Sequence, residues 1–370
     1  MKNTSNKISY ISLTSQWADE KDDLLPIIER ILSSGQYVGG DEITKFENKI
    51  IDYTGSKYAV ALNSGTDALT LALFLCNVKR GDEVITPPNS FIASTGAIVH
   101  TGAVPVFVDV AEDRNIDPEK IEKAITPKTK VIMPVHLTGR ICKMDKIIEI
   151  ANKHNLMIVE DAAQSIGSKY KSNFSGSFGY IGCFSTHPLK NLNACGDSGF
   201  ITTNDEGIYK QALVYRNHGL IDRDRVENFG YVSRMDTLQA AILNYRLKKL
   251  DTVILKRRQN AKLYFKNLNQ DKILLPYENE NEFNTYHTFI IQCSKRDKLQ
   301  NYLNEKNIAS AVHYPTPIHL QPASEKFGYK LGDFPVAEKQ SNEILTIPIH
   351  HYLSENDINR IITTINSVMN

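Results

Sequence analysis

The sequence predicts an α/β protein: a large unit built on a mostly parallel sheet sandwiched by helices, and a smaller α/β unit after it. Two observations predict this. Through the first half of the chain, short β-branched runs alternate with amphipathic helical stretches. That alternation then gives way to one long helical stretch and a second, shorter set of strands and helices. Strand–helix–strand units at this spacing build a parallel sheet covered on both faces.

The runs 58–62, 83–86, 104–108, 131–135 and 156–160 read as strands from their β-branched content. Apolar periodicity predicts helices over roughly 66–79, 90–101, 117–125 and 143–154. Arg80-Gly81-Asp82, Thr101-Gly102 and His154-Asn155 are turn signals between them. Residues 176–204 are glycine-rich and strand-like. A helical stretch over about 236–268 carries Leu238, Ala241, Ile242, Tyr245, Leu250, Val253 and Ile254. Then come a strand at 288–292, a helix at 295–306, a strand at 308–314, a loop, and a closing helix from about 354. The boundary falls near residue 250, giving units 1–250 and 251–370.

Composition excludes several function classes. A formal net charge of +1 provides no field for recruiting nucleic acid or an anionic membrane. The clusters Lys248-Lys249 and Lys256-Arg257-Arg258 read as solvated helix faces. Cys76, Cys142, Cys183, Cys195 and Cys293 form no CxxC pair, so neither a disulfide framework nor a metal site is expected. The amino terminus lacks the apolar core of a signal peptide, and the stretch 68–76 is too short to span a bilayer. A reducing cytoplasm is the expected compartment.

In an open parallel sheet, ligands bind beyond the carboxyl ends of the strands. After the first predicted strand comes Asn63-Ser64-Gly65-Thr66-Asp67 and then a helix. That turn suits a phosphate at a helix start, and equally a plain N-cap. No Walker lysine motif follows, which disfavours a nucleotide triphosphatase. After 156–160 comes Asp161, placed to pair with a buried cation such as a protonated pyridine nitrogen, or to cap a helix, with Gln164 three residues on. Lys190 lies between the apolar run Gly182-Cys183-Phe184-Ser185 and the glycine-punctuated stretch 191–199. Lysines are usually surface residues; this setting argues for partial desolvation, a lowered pKa and a nucleophilic amine. Ser185 is placed to donate to a phosphate, or to satisfy its own backbone.

These runs resemble the DegT/DnrJ/EryC1/StrS sugar aminotransferases along nearly the whole chain. The matches include Asn63-Ser64-Gly65-Thr66-Asp67-Ala68-Leu69, Gly81-Asp82-Glu83-Val84-Ile85-Thr86-Pro87, Pro134-Val135-His136-Leu137-Thr138-Gly139, Glu160-Asp161-Ala162-Ala163-Gln164, Gly196-Asp197-Ser198-Gly199, Arg216-Asn217-His218-Gly219 and His313-Tyr314-Pro315. The resemblance implies the aspartate-aminotransferase fold (fold type I), with pyridoxal 5'-phosphate (PLP) bound by residues 1–250 and a small carboxyl-terminal domain over 251–370. It makes Lys190 the catalytic Schiff-base lysine, Asp161 the partner of the pyridine nitrogen and Gln164 the neighbour of the ring oxygen. Gly65, Thr66 and Ser185 match phosphate ligands, and Phe91 matches the aromatic stacked on the ring. Phe91 alone would equally suit a core.

Three positions depart from the common pattern. Val232 stands where many members have an Asn that reaches the partner subunit's cofactor phosphate, His187 where many have an aromatic, and Ser198 where many have Gly. His187 suits either a substrate contact or a structural role. Related dehydratases replace the lysine with His, so Lys190 favours transamination.

The implied reaction moves an amino group from an amino acid, expected to be glutamate, to a keto-sugar nucleotide, in a homodimer with active sites at its interface. The segments 187–193 and 230–235 look most like the dTDP-3-keto-6-deoxyhexose 3-aminotransferases, which supply 3-amino-3,6-dideoxyhexoses for surface glycans such as lipopolysaccharide. The alternatives are a C4 aminotransferase and, more distantly, a non-catalytic regulatory protein of the same fold. Arg234 and Arg216 are candidates for the substrate diphosphate by charge. Tyr37, His313, Tyr314 and His319 are candidates to close over the sugar; each also suits packing or surface.

Overall fold

The computed structural model describes residues 7–369. In chain order, the first elements are α1 (Leu13–Ser34), α2 (Asp41–Thr54), β1 (Tyr58–Leu62), α3 (Gly65–Leu75), β2 (Glu83–Thr86), α4 (Ile92–His100), β3 (Val104–Phe107) and α5 (Pro118–Ile121). Then follow β4 (Thr129–Ile132), α6 (Met144–His154), β5 (Met157–Asp161), the short strands β6 (Lys169–Tyr170) and β7 (Asn173–Phe174), β8 (Ile181–Ser185), β9 (Gly199–Thr203) and α7 (Glu206–Tyr215). The rest comprises α8 (Thr237–Arg246), α9 (Leu250–Asn267), β10 (Glu282–Phe283), β11 (Phe289–Gln292), α10 (Arg296–Glu305), α11 (Pro335–Glu343), β12 (Ile344–Ile347) and α12 (Glu355–Met369).

The main sheet has seven strands in the order β1-β9-β8-β5-β4-β2-β3. Pairings from β8 through β5, β4, β2 and β3 are parallel, while β9 is antiparallel to both of its neighbours, β1 and β8. All strands but β9 therefore end at one edge of the sheet. The five strands read from the first half of the sequence are present, and β8 and β9 fill the stretch read only as strand-like. The sheet is buried on both sides. One apolar cluster joins Val60, Leu62, Val84, Val131, Val159 and Ile181 to α3 and α4. Another sets Ala59, Ala61, Phe184 and Phe200 against Phe46 of α2 and Leu243 of α8.

Local chemistry sets the element ends. α1 and α2 stop at Gly35 and Gly55, whose φ values of 70° and 73° lie in the left-handed region that glycine enters without a Cβ penalty. α6 stops at Asn155, also left-handed at φ 52°.

Three expectations need correction. The helix read over 236–268 is interrupted by a 3-10 turn at Leu247–Lys249, so α8 and α9 are separate elements. Residues 308–314 form no strand; Ile8–Ile308 and Ala311–Thr346 are isolated bridges there. The basic run on α9 is not a solvated face throughout, because Arg257 is buried. The carboxyl-terminal core joins β11, β12, α10 and α12 to Ala261, Tyr264 and Leu268 of α9, and it also takes in Ile8 from the amino-terminal segment. Among the described residues no helix is long and apolar enough to cross a membrane. The hexapeptide 1–6, part of the basis for expecting no leader, lies outside them.

Candidate active site

The carboxyl edge of the sheet gathers residues from distant parts of the chain. β1 ends at Leu62, and Ser64 caps α3 by accepting from the Asp67 amide at 3.0 Å. Gly65 then passes so close to β8 that a Cβ there would meet Ser185 Cβ at 2.6 Å and Ser185 Cα at 3.0 Å. The start of α3, with its free N–H groups, is thereby set against the Ser185 hydroxyl, and Thr66 follows in the same turn. This cradle fits a phosphate group. Ser185 Oγ accepts from the His187 amide at 3.3 Å, and the buried hydroxyls of Thr186 and Ser198 have no hydrogen-bond partner.

On the strand next to β8, β5 ends at Asp161, which is buried. Its Oδ2 accepts from Ser94 Oγ at 2.7 Å and its Oδ1 from the Ala163 amide at 3.2 Å. Burial raises its pKa, opposed by Ser94, by the Ala163 amide and by the charge of Lys190. A buried carboxylate held by two neutral donors fits a cationic ring nitrogen. Gln164 accepts from the Thr138 amide at 2.8 Å and also reaches the Tyr314 side chain. Phe91, the residue before α4, is exposed, and its ring centroid lies 6.0 Å from that of Tyr314.

Lys190 follows β8 on a turn closed by its own amide donating to the His187 carbonyl at 2.8 Å. Desolvation lowers its amine pKa to about 8, against the opposing pull of Asp161. The loop beyond it is clamped. Asn193 bonds Gln16 of α1 and the Pro188 carbonyl, and Arg246 of α8 donates to the Asn193 carbonyl at 2.8 Å. His187 Nδ1 accepts from the Leu189 amide at 3.3 Å, an intraloop contact. His313, whose Nδ1 lies 2.9 Å from Thr346 Oγ1, has its pKa lowered to about 4 by burial and by Lys190. Burial and Asp161 raise the Tyr314 pKa. Lys190, Asp161, Gln164, Phe91, His313 and Tyr314 are thus drawn together, with Gly65, Thr66 and Ser185 beside them.

Other candidates lie elsewhere. His319 is buried, bonded to Glu338 at 3.0 Å and packed edge-on to Phe334, so it is a core residue and does not close over a sugar. Arg216 is committed to Glu47 at 2.6 Å and to the Ala61 carbonyl at 2.8 Å, which leaves it poorly placed for a diphosphate. Arg234 bonds Asn217 at 3.0 Å, has an unpartnered Nε, and lines a second cleft with Val38 and Gly39. Tyr37, beside that cleft, is exposed and donates to the Leu32 carbonyl at 3.2 Å. Val232 is exposed as well. Neither Tyr37 nor Arg234 lines the Lys190 cleft.

Sequence reasoning missed Ser94. Its one signal is spacing: three residues after Phe91 on α4, it shares that residue's helical face. Glu160, next to Asp161 in the same motif, also went unassigned. It faces the opposite side, where it bonds His136 Nε2 at 2.9 Å and accepts from the Gly176, Phe178 and Gly179 amides.

Known proteins resemble this chain in sequence and in fold. Residues 18–366 match the model of the DegT/DnrJ/EryC1/StrS aminotransferase family. A "pleiotropic regulatory protein" of Geobacillus stearothermophilus is 39% identical over 94% of this chain and 95% of its own. The dTDP-3-amino-3,6-dideoxy-alpha-D-galactopyranose transaminase of Aneurinibacillus thermoaerophilus is 40% identical over 92% and 93%. Among solved structures, DesV of S. venezuelae in complex with a ketimine intermediate superposes with a TM-score of 0.96 at 36% identity, covering 99% of both chains. NtdA of Bacillus subtilis with bound cofactor PMP gives 0.92 at 32% identity, covering 100% of this chain and 86% of its own. With the fold, the edge-of-sheet site and a family match over nearly its whole length, the chain belongs to the DegT/DnrJ/EryC1/StrS aminotransferase family.

Proposed function

We propose that the protein transfers an amino group from an amino acid, glutamate, to C3 of a dTDP-3-keto-6-deoxyhexose, giving a dTDP-3-amino-3,6-dideoxyhexose for surface glycans. The broader activity, PLP-dependent sugar-nucleotide amination, is that of its family. The observation that carries the reading is a desolvated Lys190 amine and a buried Asp161 carboxylate close enough to feel each other's charge, beside a phosphate cradle at Gly65 and Ser185.

When bound, PLP supplies a reactive aldehyde and an electron-withdrawing ring. Gly65, Thr66 and Ser185 would hold its phosphate, Asp161 its ring nitrogen, Gln164 its ring oxygen, and Phe91 a ring face. Ser94 fixes the orientation of Asp161. With a pKa of about 8, the Lys190 amine exchanges protons readily near neutral pH and serves as the general acid and base for moving a proton at the donor's Cα.

The C3 assignment rests on the lysine segment 187–193 and on the likeness to the Aneurinibacillus transaminase, whose name specifies a 3-amino sugar. Catalysis by a homodimer is part of the proposal. Tyr37, Val38, Phe229 and Val232 are exposed apolar residues of the kind an interface would cover. The test is amination of dTDP-3-keto- against dTDP-4-keto-6-deoxyhexose with L-glutamate. Turnover of the 3-keto sugar is expected, and turnover of the 4-keto sugar alone would replace C3 by C4.

A further inference from the structure

One small cavity plays no part in the reading above. It measures about 50 Å³ and lies between the loops at 112–114 and 138–140 on one side and the segment 274–290 on the other. Among the described residues none lines both it and the Lys190 cleft. Arg114, Arg140, Asn284 and Thr288 stand on its wall, each only 4% exposed. All four carry buried polar atoms without a hydrogen-bond partner: Arg114 Nε and Nη2, Arg140 Nε, Asn284 Oδ1 and Thr288 Oγ1. Buried polar groups in folded proteins are ordinarily partnered, so orphans gathered round one space call for an occupant.

Arg114 is the sharpest case. Arg246, also buried, holds the Glu20 carboxylate at 2.8 Å and the Asn193 carbonyl at 2.8 Å. Arg114 has no such partners. Asp113 and Glu282 both face Arg140, at 3.9 and 2.8 Å, and among the described residues no carboxylate lies within ion-pair range of Arg114. The acidic groups on the wall are turned elsewhere: Glu112 is exposed, and Asp113 accepts from the Asn115 amide at 3.0 Å, with its own pKa raised by burial. Burial lowers the Arg114 pKa to about 10, opposed by the charge of Asp113, so the side chain is still a cation at neutral pH. Its backbone is left-handed, at φ 72°, a conformation uncommon outside glycine. The loop therefore holds a charged side chain in the interior at a local cost and without a paired counter-charge.

We propose that this cavity binds a chloride ion, held by Arg114 together with Arg140 and Thr288. Guanidinium N–H groups only donate, and three such nitrogens are unpartnered on this wall. A water molecule accepts two hydrogen bonds and must place two protons of its own, whereas an anion accepts from every side. The Thr288 hydroxyl donates too, and Asn284 does so once its amide turns the NH₂ inward. Size selects the ion. About 50 Å³ suits a halide and falls far below the roughly 300–1,000 Å³ of pockets that take cofactor-sized molecules. The ion also has a place in the fold. Thr138 lines the cavity and its amide holds Gln164 at 2.8 Å, so the ion ties the turn that anchors Gln164 to the segment 284–290.

The test uses PLP-loaded protein, in which the phosphate cradle is already filled, in buffer free of other small anions. Unfolding temperature is followed as sodium gluconate, whose anion is too large to enter, is exchanged for sodium chloride at constant ionic strength. Wild type is expected to gain about 2–5 °C between no chloride and about 0.2 M. Arg114→Leu should change by less than about 1 °C over the same range. Thr288→Val keeps the shape and removes one donor, and should need about 2- to 10-fold more chloride for the wild-type gain. Wild-type crystals soaked in bromide should show an anomalous peak beside Arg114. Equal gains in wild type and both variants are a general salt effect and overturn the site. A wild type indifferent to chloride, or a bromide peak only elsewhere, leaves the cavity to water and overturns it as well. If Arg114→Leu does not fold, Thr288→Val and the bromide peak decide.

Discussion

Glu160 and Asp161 are adjacent buried carboxylates on one strand, and they do different work. Glu160 accepts from three backbone amides and pairs with His136. The tautomer follows from geometry: His136 Nδ1 accepts from the Cys142 amide at 3.2 Å, so Nε2 carries the proton given to Glu160. Glu160 ties β5 to the turn at 176–179, and its bonding capacity is filled. Asp161, on the other face, has one hydroxyl and one amide as donors, and its pKa is raised by burial. A fully satisfied buried carboxylate is a structural tie. One left short of donors at the edge of a cleft is a site awaiting a cation.

Breaking the site side should cost activity, and breaking the structural side should cost stability. The largest effect is expected for Lys190→Ala, where turnover falls by at least about 10⁴-fold, measured as amino-sugar formed per folded protein. Asp161→Asn keeps the shape and removes the charge; kcat should drop about 10²- to 10³-fold, with little change in unfolding temperature. Glu160→Gln should do the reverse. A carboxamide presents its NH₂ to donors, costing about 3–5 kcal/mol of stability in thermal or urea unfolding, while kcat of the folded fraction stays within a few-fold. Comparable kcat losses in both variants would erase the distinction.

The smallest effect is expected for Ser94→Ala. Ser94 lowers the Asp161 pKa, so its removal raises that pKa further. The ionised carboxylate is the active form and is lost as pH falls through its pKa. The acid limb of the kcat profile should therefore move to higher pH, with a loss of about tenfold or less at the optimum. An unmoved acid limb would mean that Asp161 does not set it.

How much of this was legible in sequence differs by residue. Asp161 and Ser185 close strands, and Gly65 and Lys190 lie three and five residues beyond one, so knowing the strands and their shared edge was enough to group them. Ser94 meets Asp161 through a contact between the first turn of α4 and the end of β5, 67 residues apart in sequence, and its single clue was helical spacing from Phe91. His319 was misplaced because its partner Glu338 lies on α11, a helix that the alternation pattern did not predict. Arg257 sat in a run whose composition suggests solvent, and only the packing of α9 against the loop at 286–287 turns it inward.

The central claim is that Lys190 bears the cofactor, and spectroscopy with chemical trapping tests it most directly. Purified protein supplied with PLP should show a visible absorption band that borohydride bleaches. Peptide mapping should then find the reduced cofactor on the nitrogen of Lys190. A protein that stays colourless with PLP, or a label fixed to another lysine, would contradict the account.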